Sequence, residues 1–147
     1  MFFIYADVMQ QHPGFRFPKE ERLNSRKAID RLFKSGKAFL TFPVRVQFLL
    51  QDPEDAIPAK ALFSVPRRRF KKAVTRNLLK RRMREAYRLN KRPLTDVLKS
   101  GNIQMNVAFI FIAPLEADYS TIEKGMKKAI SRLIAEIEKH GNSRENI

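Results

Sequence analysis

Residues 72–91, KAVTRNLLKRRMREAYRLNK, carry their charges in a sorted order. At about 100° per residue of α-helix, Arg76, Asn77, Lys80, Arg81, Arg84, Arg88 and Lys91 fall within an arc of roughly 140°. Val74, Leu78, Leu79, Met83, Ala86 and Leu89 take the opposite side. Arg82 falls among them, where its stem is expected to pack while its head group reaches the edge. A helix divided in this way rests on a core and offers a row of donors, one per turn. Polyphosphate backbones suit such a row, because each neutralised phosphate releases counterions. A merely solvated face normally mixes signs, and here Glu85 alone interrupts the basic run. The segment is therefore read as a nucleic-acid-binding helix.

The composition of the whole chain agrees. Thirty Lys and Arg against fifteen Asp and Glu give +15 over 147 residues, a length that suggests one domain. Hydrophobic residues make up 44%, too many for a disordered basic tail, and twelve Phe supply bulk for a core. With no Cys, disulfides, thiolate zinc sites and cysteine nucleophiles are excluded. No apolar run approaches a membrane span, so no membrane association is expected. The opening MFFIYADVM carries Asp7 and no basic leader, so no signal peptide is read there, and the cytoplasm is the expected compartment.

Outward from the helix, the chain alternates between short strands and helices. Residues 1–21 read as an irregular extension, punctuated by Pro13, Gly14 and Pro18 and basic at Arg16 and Lys19. Asn24 or Ser25 caps a first helix whose stripe is Ala28, Ile29, Leu32 and Phe33, and Gly36 ends it. Strands are expected at 38–42, at 44–50 (where Val44, Val46, Phe48 and Leu50 alternate with polar residues) and at 61–65. Pro93 should stop the basic helix. Residues 107–112, VAFIFI, are apolar throughout, as in a strand covered on both faces. Ser120 and Glu123 form a capping box for the last helix, with Ile122, Met126, Ile130, Leu133, Ile134 and Ile137 at helical spacing. The domain spans 22–140 and a tail covers 141–147. The reading is one α+β domain of order αβββαβα.

No catalytic constellation accompanies this fold. His12 and His140 lie in the terminal regions, and the acids are scattered rather than grouped as metal ligands. Ser64 and Thr75 have no base beside them, and no glycine-rich phosphate loop exists.

Residues 64–88, SVPRRRFKKAVTRNLLKRRMREAYR, resemble the bacterial ribonuclease P protein family. That family's signature helix reads roughly A-V-x-R-N-R-x-K-R-x-x-R-E, entered from a strand ending S-V and a basic turn. Ala73, Val74, Arg76, Asn77, Lys80, Arg81, Arg84 and Glu85 match it in register, and Leu78 replaces the second arginine of R-N-R. The resemblance extends from about Arg22 to Lys139. It implies a four-stranded sheet packed with three helices and a left-handed βαβ crossover through the basic helix. It also implies a partner, the catalytic ribonuclease P RNA, which removes the 5′ leader of precursor tRNA with bound Mg2+. The protein itself is then expected to hold no metal or cofactor, and to bind neither DNA nor a membrane. RNA-binding residues would be Arg67, Arg68, Arg69, Lys71, Lys72, Arg76, Asn77, Lys80, Arg81, Arg84 and Arg88. The family holds the leader in a cleft between the first helix and the sheet, commonly lined by aromatics. Matching from Gly36 puts Ile29, Phe33 and Gln47 there, with Arg45 beside them, and Phe33 alone is aromatic. Phe39 and Phe42 are alternative linings.

Other readings weighed against this one are a ribosomal or chaperone-like RNA-binding protein, a recognition helix for duplex DNA, and a self-sufficient nuclease. The DNA reading is weakened by a row of Arg and Lys suited to phosphates rather than base edges.

Overall fold

A computed structural model of the chain describes residues 16–145. Its elements are α1 (Arg26–Ser35), β1 (Lys37–Thr41), β2 (Val44–Gln51), β3 (Ala59–Ser64), α2 (Ala73–Asn90), α3 (Arg92–Gly101), β4 (Gln104–Phe111) and α4 (Tyr119–Glu145). The strands form one mixed sheet in the order β1-β2-β4-β3. β1 and β2 pair antiparallel, as do β2 and β4, whereas β3 runs parallel to β4. The parallel pair is joined through α2 and α3, so the basic helix lies within the βαβ connection.

Strand alternation decides what covers each face. Val44, Val46 and Phe48 of β2 point the same way as Met105, Val107, Phe109 and Phe111 of β4, into a core closed by α2, α3 and α4. Arg45, Gln47 and Leu49 turn to the other face. There Ala108 meets Leu23 and the fully buried Leu32 of α1. β4 is thus covered on both sides, and its continuous apolar run follows from that.

Four details differ from the sequence reading. Pro93 does end α2, but it occupies the first turn of an additional helix, α3, where a missing N–H costs nothing. Leu94 and Leu98 carry α3 into the core, so the described residues form four α-helices rather than three. Asp118, not Ser120, caps α4: its carboxylate accepts the Thr121 N–H at 2.8 Å, while Ser120 lies within the helix. The Thr121 hydroxyl and N–H together hold the Asp118 carboxyl below the usual carboxylate range. Finally, α4 continues to Glu145, through most of the expected tail.

Residues 16–21, expected as irregular extension, are tied into the domain. The Phe17 ring packs edge-on against Phe63 and Tyr87, and Leu23 N–H donates to Ala61 O at 2.9 Å. Residues 1–15, including His12, lie outside the described residues.

Candidate RNA interface

The orientation of α2 decides which cations face solvent. Leu79, Met83, Ala86 and Tyr87 are its fully buried residues. At about 100° per residue, this buried side is centred roughly 70° from the one that residue types suggested. Val74, expected on the core, is 80% exposed, and Leu78 is half-buried. Tyr87 explains the shift. Its ring packs edge-on or tilted against Phe17, Phe63 and Phe109 and anchors the helix. Burial raises its hydroxyl pKa far above the ordinary tyrosine value.

Away from the buried side of the helix, Asn77, Arg81, Arg84 and Arg88 align within an arc of roughly 60°. Asn77, Arg81 and Arg84 are exposed, whereas Arg88 is half-buried and bonded to Glu85, with Nε 3.2 Å from the carboxylate. Lys80 lies half-buried at the flank. Lys91 leaves the row entirely. It is 3% exposed, and its ammonium meets both Glu21 oxygens, at 2.8 and 2.9 Å, and the Arg16 carbonyl.

The entry to α2 extends the basic surface. Arg67, Arg68, Lys71 and Lys72 are exposed, and Arg69 donates to the Ile112 carbonyl. Arg76 turns back to donate to Phe70 O and Lys71 O, both at 2.8 Å, which fixes the turn. No side chain caps the N-terminus of α2 and no acid lies in its first turn. Its free N–H groups and positive dipole end therefore face the same surroundings as the lysines, the arrangement that binds phosphate. Beside this row, Phe17, Arg22, Arg81, Arg84, Arg88 and the acid Glu85 line a cavity of about 210 Å³, with the Arg22 guanidinium 5.8 Å from the Phe17 ring centre. Phe17 was invisible as a site residue because only the fold brings it to α2.

On the α1 face, the positions matched to the leader cleft divide. Ile29 packs half-buried against the sheet, and Gln47 is buried. The Gln47 amide donates to Leu32 O at 3.2 Å and Phe33 O at 3.3 Å, holding the end of α1 over β2. Phe33 is 44% exposed and Arg45 is exposed. Leu40 pairs with Arg45 across β1 and β2 and is 62% exposed, so it adds an apolar surface that the sequence reading missed. Phe39 instead faces the core beneath Arg132, whose guanidinium is 4.5 Å from the ring, while Phe42 is exposed. Among the described residues, no three His, Asp or Glu side chains gather as metal ligands. Nor is any described helix long and apolar enough to cross a membrane.

A family model described as Ribonuclease P matches residues 17–134. The chain belongs to the ribonuclease P protein family. It is 39% identical over 129 residues to the ribonuclease P protein component of Porphyromonas gingivalis (strain ATCC BAA-308 / W83), covering 88% of this chain and 94% of that one. The corresponding protein of Chlorobaculum tepidum is 32% identical over 121 residues, covering 78% and 79%. The fold is similar to the solved RNase P protein of Staphylococcus aureus, with a TM-score of 0.57 at 18% identity, covering 76% of this chain and 94% of that one. A mutant of that protein gives 0.60 at 16% identity, covering 86% and 94%. The ribonuclease P match takes in Phe17 and all of α2, so both the anchor and the basic row lie within it.

Proposed function

We infer that the chain is the protein subunit of ribonuclease P, which binds the catalytic RNA and assists removal of the 5′ leader from precursor tRNA. The observation that carries this reading is the exposed row Asn77, Arg81 and Arg84, continuous with Arg67, Arg68, Lys71 and Lys72 at the open N-terminus of α2, in a chain of this family. The row docks on the RNA subunit through phosphates, and the rigid anchor at Tyr87 fixes its direction. Phe33, Leu40 and Arg45 offer a separate surface, on the opposite face of the sheet, where an unpaired leader base can stack and its phosphate can pair. Hydrolysis belongs to the RNA and its Mg2+. The protein contributes positive charge and position in the cytoplasm, where precursor tRNA is processed. Recovering the RNA bound to the tagged protein from cell extract tests this: one dominant, long, structured RNA is expected, and mixed ribosomal RNA would contradict it.

A further inference from the structure

The two edges of the sheet are finished differently. At β3, Arg22 bridges to Ala61 and the Leu23 N–H donates to the Ala61 carbonyl at 2.9 Å, so that edge is covered. β1 ends the sheet on the other side and pairs with β2 alone. Beside it, on the core face, runs α4. The Arg132 guanidinium lies 4.5 Å from the Phe39 ring centre, and a Cβ on Gly125 would overlap the Phe42 carbonyl oxygen. Residues 125 and 132 are about two helical turns apart, so α4 follows β1 in the antiparallel sense along its whole length.

The flank of α4 that borders β1 is sorted by charge. At about 100° per residue, Lys124, Lys128, Arg132 and Lys139 share an arc of roughly 80°. All four are exposed, and no acid of residues 119–141 enters the arc. The acids of α4 stand outside it. Glu123 is half-buried and pairs with Lys127 at 3.7 Å, Glu136 lies 3.8 Å from Lys139, and Glu138 projects beyond the arc. Asp118 is engaged at the cap. Lys124, Lys128 and Arg132 thus recur every fourth residue, about 6 Å apart along the axis. Next to this row, on the turn that Gly125 admits, Phe42 is 64% exposed. Cations in file beside an exposed ring are what an unpaired RNA strand requires, with phosphates on the cations and a base stacked on the ring. A duplex would leave the ring without a base, because its own bases are already stacked.

β1 also carries one side chain of the leader surface. Leu40 points to the α1 face, opposite Arg45 of β2, whereas Phe39 points to α4, and Phe42 follows Leu40 by two residues. A strand lying across Phe33, Leu40 and Arg45 therefore meets Phe42 as it rounds the edge. We infer that the β1 edge, Phe42 and the row Lys124, Lys128 and Arg132 hold the part of the leader farther from the cleavage site, as single-stranded RNA. This rests on the leader reading of the α1 face and adds a second contact on the other face of the sheet.

Holoenzyme reconstituted with the cognate RNA, and precursor tRNAs of increasing leader length, test the inference. Affinity should rise in two steps, first as the leader reaches the α1 face and again as it reaches α4. Lys124→Ala with Lys128→Ala should remove the second step, keep the first, and make the salt slope for the long leader shallower by roughly one to one and a half units. Phe42→Ala should weaken the long leader on the order of tenfold and leave the short one unchanged. The chain has no Cys, so Lys128→Cys can carry a single photocrosslinker, which should label the distal leader. Phe33→Ala with Arg45→Ala should remove the first step and so tests the leader reading separately. If the first step is present but lengthening adds nothing, or if the second step survives the lysine variant, the inference fails and the leader reading stands. Crosslinks to the RNA subunit in place of the leader would also overturn it.

Discussion

Lys91 and Arg81 lie ten positions apart in one basic stretch, and their surroundings give them opposite work. Lys91 is sealed against Glu21, whereas Arg81 projects into solvent. Glu21→Gln should therefore cost about 3–5 kcal/mol in denaturant unfolding, since it strands a buried ammonium. Arg81→Ala should stay within about 0.5 kcal/mol. A loss below about 1 kcal/mol for Glu21→Gln would mean that Lys91 finds water. Leu78 and Leu79 make a second contrast. Leu79→Ala empties a fully buried position and should cost about 2–5 kcal/mol. Leu78→Arg, on the half-exposed flank, should fold normally and tighten RNA binding. Asp118 adds a pH-dependent term. Its carboxyl is held low in the folded protein by its bonds to Thr121, so its contribution is present above the unfolded value of about 4 and is lost as pH falls through the folded one. The Tm gap between the protein and Asp118→Ala should accordingly shrink on acidification; a gap independent of pH would contradict the cap.

Elements whose pattern is local were legible in the sequence, and those positioned by distant contacts were not. The alternation of β2, the apolar run of β4 and the Ser25 cap of α1 each follow from neighbouring residues. The phase of α2 does not, because an amphipathic count weighs Val74 as core and leaves Tyr87 aside. The aromatic cluster formed with Phe17, Phe63 and Phe109 reverses that weighting. Likewise, Gln47 matched a cleft position by register, yet its bonds to Leu32 and Phe33 are visible only once α1 lies over β2. α3 escaped notice because Pro93 serves equally as a stop and as a first-turn residue. The corrected phase makes a prediction for α2 as an element. Arg81→Ala with Arg84→Ala should make the slope of log affinity for the RNA subunit against log salt shallower by about two units. Arg76 and Lys91, committed within the fold, should change stability more than that slope. α4 also meets a geometric limit, because a Cβ on Gly125 would overlap the Phe42 carbonyl oxygen and lie 2.9 Å from Pro43 Cδ. Gly125→Ala should lower Tm by forcing the helix off the β1–β2 turn.

At the scale of the whole molecule, charge and architecture point the same way. A net +15 on 147 residues suits a body that brings two polyanions together. The sheet separates two surfaces: the α2 side, proposed for the RNA subunit, and the α1 side, proposed for the leader. Bound protein replaces part of the cation atmosphere that RNA–RNA approach otherwise demands, so its effect should be largest at low Mg2+ and fade as Mg2+ rises. The central claim is that the protein positions and the RNA cleaves. Its most direct test is cleavage of precursor tRNA at low Mg2+ by the protein alone, by the cognate ribonuclease P RNA alone, and by both. The account predicts efficient cleavage at the mature 5′ end only with both. Specific cleavage by the RNA-free protein would contradict it.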